Sequence, residues 1–140
     1  MEALKKITQD RNTPFALRVT YSVVKIGEDV SARKVAGILK KYKIGAVIVE
    51  KHGKLCGIIS ERDIVWKVVA QERPPDEVKA REIMTRKVIT VDVNEGIDKI
   101  YETMKTLPFR HLPITKDGRV IGIVSSRDLM YLRQLKTIKK

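Results

Sequence analysis

Two short segments hold the residues best suited to chemistry: Ser60-Glu61-Arg62-Asp63 and Ser125-Ser126-Arg127-Asp128. Each follows an apolar run of strand type, Gly57-Ile58-Ile59 or Gly122-Ile123-Val124, and each precedes a helical pattern. Arg62 and Arg127 then fall in a first helical turn, where the helix dipole disfavours a cation by roughly 0.3–1 kcal/mol. A cation beside exposed helix N–H groups makes a corner suited to phosphate. The aspartate cannot bind phosphate, but a carboxylate accepts two hydrogen bonds from a ribose diol. Aspartate and arginine at one helix start therefore read as sugar plus phosphate. The same spacing has a plain structural reading: serine with an acid three positions on is a capping box, which starts a helix without any ligand. On spacing alone both readings stand.

The elements that must position these residues come twice. Lys51 to Asp63 (KHGKLCGIISERD) returns 65 positions later as Lys116 to Asp128 (KDGRVIGIVSSRD), with seven residues identical and no gap. Val23 and Val88, Lys34 and Lys99, and Lys40 and Lys105 keep the same offset. In the first copy, Val23 to Ile26 reads as a strand. Ser31 offers an N-cap, and Ala32, Val35, Ala36 and Leu39 follow at helical spacing. Strands Ala46 to Val49 and Leu55 to Ile59 join at His52-Gly53, and a helix runs from Ser60 to about Gln71. Pro74-Pro75 ends that helix, and Glu77 to Met84 makes a short one. The second copy repeats the order: strand Val88 to Val91, helix Gly96 to Thr106, a hairpin from His111 to Val124 around Asp117-Gly118, and helix Ser126 to Leu135. The division expected is 1–21 lead-in, 22–69 first repeat, 70–86 linker, 87–135 second repeat and 136–140 basic tail.

Each repeat of about 48 residues is close to the size at which a lone core is marginal, so the copies are expected to share one core with a ligand cleft at the seam. Gly57 and Gly122 interrupt strands otherwise rich in branched residues, which marks either a close approach by a ligand or backbone, or a bulge. The net charge of +12 favours anionic partners such as nucleotides or nucleic acid, or else reflects solvated, lysine-rich helix faces. One cysteine, Cys56, excludes an internal disulfide, and its counterpart Ile121 suggests a small hydrophobe rather than a reactive thiol. His52 and His111 supply no zinc-ligand spacing. No apolar run approaches a membrane span and the N-terminus lacks a signal-peptide core, so a cytoplasmic location without membrane contact is expected.

At these residues the chain resembles a tandem pair of cystathionine-β-synthase (CBS) domains, over roughly Ser22 to Arg133. The likeness is carried by Met84-Thr85 before Val88-Ile89-Thr90-Val91, by His111-Leu112-Pro113-Ile114, by Asp117-Gly118, and by Gly122 through Asp128; the first copy matches at Ile44 to Val49, Gly53 and Gly57 through Asp63. The resemblance implies an α+β fold: two β-α-β-β-α repeats packed about a pseudo-twofold axis, with up to two adenosine-nucleotide sites. It implies that Asp63 and Asp128 hold ribose, with Ser60 and Ser125 nearby and Arg62 and Arg127 at the same helix starts. Adenine would lie against Ser22, Val23 and Val47 in one copy, and against Lys87, Val88, Leu112 and Pro113 in the other. Arg110 and His111 would face the phosphates of the nucleotide anchored by Asp63. The first copy departs from the family pattern, with Ile48 in place of the usual proline, Ala46 in place of a basic residue and Val19-Thr20 in place of Met84-Thr85.

The expectation is a regulatory sensor of AMP, ADP or ATP without catalysis, read out by a separate effector protein or by self-assembly. Such modules commonly form homodimers through their helices, here Ile64, Val65, Trp66, Val68 and Val69 with Leu129, Met130, Tyr131, Leu132 and Leu135, whose apolar arcs are wider than one core stripe needs. The rival readings are a basic nucleic-acid-binding protein and a structural dimer whose Ser-x-x-Asp motifs only cap helices.

Overall fold

The computed structural model describes residues 23–108 and 110–126, and divides the chain into one unit over 24–88 and another that includes everything from Ile89 onward. The expected helix from Ser126 to Leu135 and the basic tail lie almost entirely outside the described residues. In the first unit the order is β1 (Lys25–Gly27), α1 (Ala32–Tyr42), β2 (Ala46–Lys51), β3 (Lys54–Ser60), α2 (Glu61–Ile64) and α3 (Ala80–Ile83). The second contains β4 (Val91–Asp92), α4 (Gly96–Thr106), β5 (His111–Lys116) and β6 (Arg119–Ser125). This is an α+β fold with a three-stranded sheet in each unit, β1-β2-β3 and β4-β5-β6.

The two sheets follow one plan. The first strand pairs parallel to the second, and the second pairs antiparallel to the third. Both hairpin turns have positive φ at both central residues, 53° and 74° at His52-Gly53 and 52° and 77° at Asp117-Gly118, as a type I′ turn requires. Both hairpins also shift register after the fourth residue of the leading strand, between Val49 and Glu50 and between Ile114 and Thr115. The extra residue is Cys56 in one strand and Ile121 in the other, each next to the mid-strand glycine, so a β-bulge accompanies Gly57 and Gly122.

Parallel pairing moves the first strands from the apolar runs. In β1, Ile26 stands opposite Val49, while Val24 lies before the strand with its carbonyl accepting the Ile48 amide. In the second unit only Val91 and Asp92 pair with β5, at Ile114 and Thr115. Four successive residues of β2, Ala46 to Val49, are buried. Helix α1 is capped by Ser31, whose side chain accepts the Lys34 amide, and buries Ala32, Val35 and Leu39. Those residues meet Ile26, Val47, Val49, Ile59 and Val68 in the first core; Val91, Ile100, Met104, Leu112, Ile114 and Val124 form the second.

The helix after Ser60 is α-helical only to Ile64, and Val65–Val69 forms a π-helical turn, with the Ala70 amide bonding the Val65 carbonyl at 2.8 Å. Ile64, Val65, Val68 and Val69 in this stretch are β-branched, residues of modest helix preference.

Residues 75–85, read as linker, are stitched onto the first unit. Ala32 and Ala80 amides bond the Val78 and Val30 carbonyls at 2.7 Å each, and Arg81 pairs with Asp29. Extended backbone at Lys79, bridged to Ser31, delays α3 to Ala80. Val78, Ala80, Ile83 and Met84 are buried in the first core. Thr85 exchanges both backbone bonds with Ile58, at 2.9 and 3.1 Å, and so extends the sheet at the β3 edge. Met84 then lies over Gly57: a Cβ there would sit 2.5 Å from Met84 Sδ and 2.9 Å from Met84 Cβ. Of the two readings of this glycine, the bulge is present beside it, and the close approach is made by a side chain of the protein rather than by a ligand or backbone.

Gly57→Ala lowers stability by about 1–3 kcal/mol in urea unfolding, and its increment shrinks in a Met84→Ala background, where much of the obstructing side chain is gone. Glu82 accepts the Lys79 amide at 2.7 Å and pairs with Arg73 at 2.6 Å, and these contacts hold its carboxyl below the ordinary glutamate value. A depressed carboxyl stabilises above its unfolded pKa and loses that contribution as pH falls through its folded value. Glu82→Gln therefore melts below wild type at pH 7, and the gap between them closes as the medium is acidified past the glutamate range.

Candidate functional site

Strand β3 delivers Ser60 in extended conformation, φ −106° and ψ 170°, and the chain turns directly into α2. The turn is held from outside by the Glu61 amide, which donates to the Gly45 carbonyl at 3.0 Å. Ser60 then caps the helix, with its hydroxyl accepting the Asp63 amide at 3.4 Å. Asp63 answers: its Oδ2 accepts the Ser60 amide at 2.8 Å and the Ser60 hydroxyl at 3.2 Å. The capping box is present. It also buries the carboxylate, since Asp63 is only 9% exposed and is the one charged residue in the interior among those described.

A carboxylate taken from water needs compensation. The Lys67 ammonium supplies it, 2.9 Å from Asp63 Oδ1. The same ammonium donates to the Ile83 carbonyl at 2.8 Å, so one lysine ties the helix start to the end of α3. Sequence reasoning missed Lys67; the signal was its spacing, an acid followed four positions on by a base along one helix face. Arg62 is half-buried and its guanidinium lies 4.8 Å from the centroid of the Trp66 ring. The aromatic face thus holds a cation that the helix start would repel. Trp66 itself is 60% exposed, with Val65 and Val69 exposed beside it, whereas Val68 is buried and Ile64 half-buried.

The remaining candidates divide between the units. Val47 is fully buried and pairs with Ile59, one step from the Ala46 and Ser60 pair. In the second hairpin the equivalent pair is His111 and Ser125, both half-buried, followed by Leu112 with Val124 and Pro113 with Ile123. Leu112 and Pro113 are buried. The matching pair thus carries an imidazole in one repeat and a methyl group in the other. Arg110 is exposed, and its carbonyl accepts the Ser126 amide at 2.8 Å, the counterpart of the Gly45–Glu61 bond. Lys87 is exposed; Val88 and Val23 are half-buried, and the Val88 amide donates to the Arg86 carbonyl. Ser22, Arg127 and Asp128 lie outside the described residues.

The arrangement at Ser60–Asp63 offers a buried, charged hydrogen-bond acceptor at a strand-to-helix junction. Such an acceptor can take hydrogen bonds from N–H or O–H donors. The half-buried Cys56 does not add a nucleophile: burial, then the Glu28 charge, push its thiol pKa up, and it stays protonated at neutral pH. No helix among the described residues is long and apolar enough to cross a membrane.

The chain is similar in sequence and fold to known proteins. The CBS domain matches twice, at residues 17–70 and 80–134. An uncharacterised protein of Methanopyrus kandleri is 41% identical over 102 residues, which cover 71% of this chain and 52% of that protein. The chain spans about half the length of the first curated relatives it matches. Among solved structures, a CBS-domain-containing protein of Agrobacterium tumefaciens is 34% identical with a TM-score of 0.74, covering 92% of this chain and 97% of that one. A CBS domain pair solved in complex with 5′-methylthioadenosine and S-adenosyl-L-methionine is also 34% identical, with a TM-score of 0.70 over 81% of this chain and 93% of that one. With the family matched twice over most of its length and the same strand pairing in both sheets, the chain belongs to the CBS-domain family, as a tandem pair of CBS domains.

Proposed function

We propose that this CBS pair is a regulatory module without catalysis that binds an adenosine-containing ligand, with Asp63 and its counterpart Asp128 receiving the ribose hydroxyls. The observation that carries the reading is Asp63 itself: a buried carboxylate, fixed by Ser60 at a strand-to-helix junction, with acceptor capacity left on Oδ1. A relative of 34% identity, solved with two adenosine-bearing molecules, supports the ligand class, because both molecules carry the ribose diol. The net charge of +12 favours AMP, ADP or ATP within that class. Phosphate contacts are assigned to Arg62, Arg127, Arg110 and His111, and the adenine to the apolar strands around Val47 and around Leu112-Pro113.

The response is assigned to a separate effector protein or to self-assembly. Exposed Val65, Trp66 and Val69 support pairing of two chains through this helix, since buried apolar surface contributes roughly 25 cal/mol per Å².

Thermal-shift and calorimetric titrations with AMP, ADP, ATP, 5′-methylthioadenosine and S-adenosylmethionine test the reading. A ligand at about 100 times its dissociation constant adds roughly 2.7 kcal/mol to stability. Asp63→Ala weakens binding in the first repeat by about 1–3 kcal/mol, the cost of a lost charged acceptor. Absence of stabilisation by any of the five at millimolar concentration would leave Ser60 and Asp63 as a helix cap alone. Retention of DNA or RNA that falls steeply with salt would shift the assignment to nucleic acid.

A further inference from the structure

The donors around Asp63 nearly fill it. A carboxylate has about four acceptor positions. Three are taken: Oδ2 by the Ser60 amide at 2.8 Å and the Ser60 hydroxyl at 3.2 Å, and Oδ1 by Lys67 at 2.9 Å. A ribose diol brings two donors to the one position left. With Asp63 so deeply buried, both hydroxyls can be accepted only if a resident donor leaves.

The three residents differ in how readily they move. The Ser60 amide is backbone, pinned between β3 and α2. The Ser60 hydroxyl is held from its other side by the Asp63 amide. Lys67 sits on a flexible stem whose side chain is partly exposed, and its ammonium already has a second acceptor in the Ile83 carbonyl at 2.8 Å. Lifting Lys67 from Oδ1 breaks one of its two contacts and leaves the other in place. At the position 65 residues on, the second repeat has Leu132, which has no ammonium to offer.

We infer that Lys67 is a specificity-determining residue of the first repeat: an internal competitor that a ligand diol must displace from Asp63 before both hydroxyls bind. The inference depends on the adenosine reading above. Its consequence is that the first repeat, as it stands, discriminates weakly between a full diol and a single hydroxyl. When Lys67 is lifted, it remains on the carbonyl of Ile83, just before Met84-Thr85, the segment that pairs with β3.

The test is calorimetric titration of the full chain, in an Asp128→Ala background, with adenosine and with 2′-deoxyadenosine. The variants are Lys67→Met and Lys67→Gln, the latter keeping a donor for Ile83; melting curves confirm that each is folded. Adenosine is expected to bind the variants about fivefold or more tightly than the lysine protein, while 2′-deoxyadenosine changes little, so the ratio between the two widens. Adenosine affinity unchanged or weaker in both variants overturns the inference, as does an equal gain for both nucleosides, since neither follows from competition for the second hydroxyl. If the lysine protein and both variants bind neither nucleoside, and AMP and 2′-deoxy-AMP titrated in the same way bind no better, the adenosine reading falls and takes this inference with it.

Discussion

A carboxylate removed from water has to be given donors, and in the first repeat that requirement organises the junction around Asp63. The Ser60 amide and hydroxyl answer it locally, which starts the helix; Lys67 answers it from the next turn, and the lysine's second bond reaches the end of α3. One buried charge thus specifies a helix boundary, the conformation of a lysine and, through that lysine, the seat of a segment sixteen residues beyond it. A pair with one buried partner contributes little net stability, because desolvation of the carboxylate offsets much of the attraction. Its effect is on geometry: the carboxylate is fixed in one orientation at the strand-to-helix junction.

Duplication shows which devices the fold needs and which it varies. The type I′ turns, the bulges at Cys56 and Ile121, and the bond from the first helical amide to the carbonyl at Gly45 or Arg110 recur at the same offset. These are backbone devices, indifferent to most side chains. Variation falls on the side chains placed by them: Ala46 against His111, Ile48 against Pro113, Lys67 against Leu132. Two repeats built on one sheet plan therefore differ in sequence where charge and hydrogen-bonding capacity are concerned.

Much of this was legible in the residues because it is local. His52-Gly53 and Asp117-Gly118 announce their turns through the positive φ they tolerate, and Ser60 with Asp63 announces a helix start. Helix α4 runs from Gly96 to Thr106, as its periodicity predicts. What escaped was set by contacts distant in sequence. Nothing near Gly57 says that Met84 will lie on it, and the partner of Thr85 is Ile58, 27 positions earlier. The π turn at Val65–Val69 interrupts a stretch whose spacing reads as one continuous helix. Lys67 stood at the right spacing from Asp63, yet its second bond, to Ile83, depends on where the segment after the prolines returns.

That return decides where the first repeat can be severed. Pro74-Pro75 looks like the natural break, yet excision there would strip Val78, Ala80, Ile83 and Met84 from the interior and leave Lys67 with one partner instead of two. A portable version of this half, grafted elsewhere or expressed by itself, has to carry the chain on past Thr85 to keep its sheet edge covered.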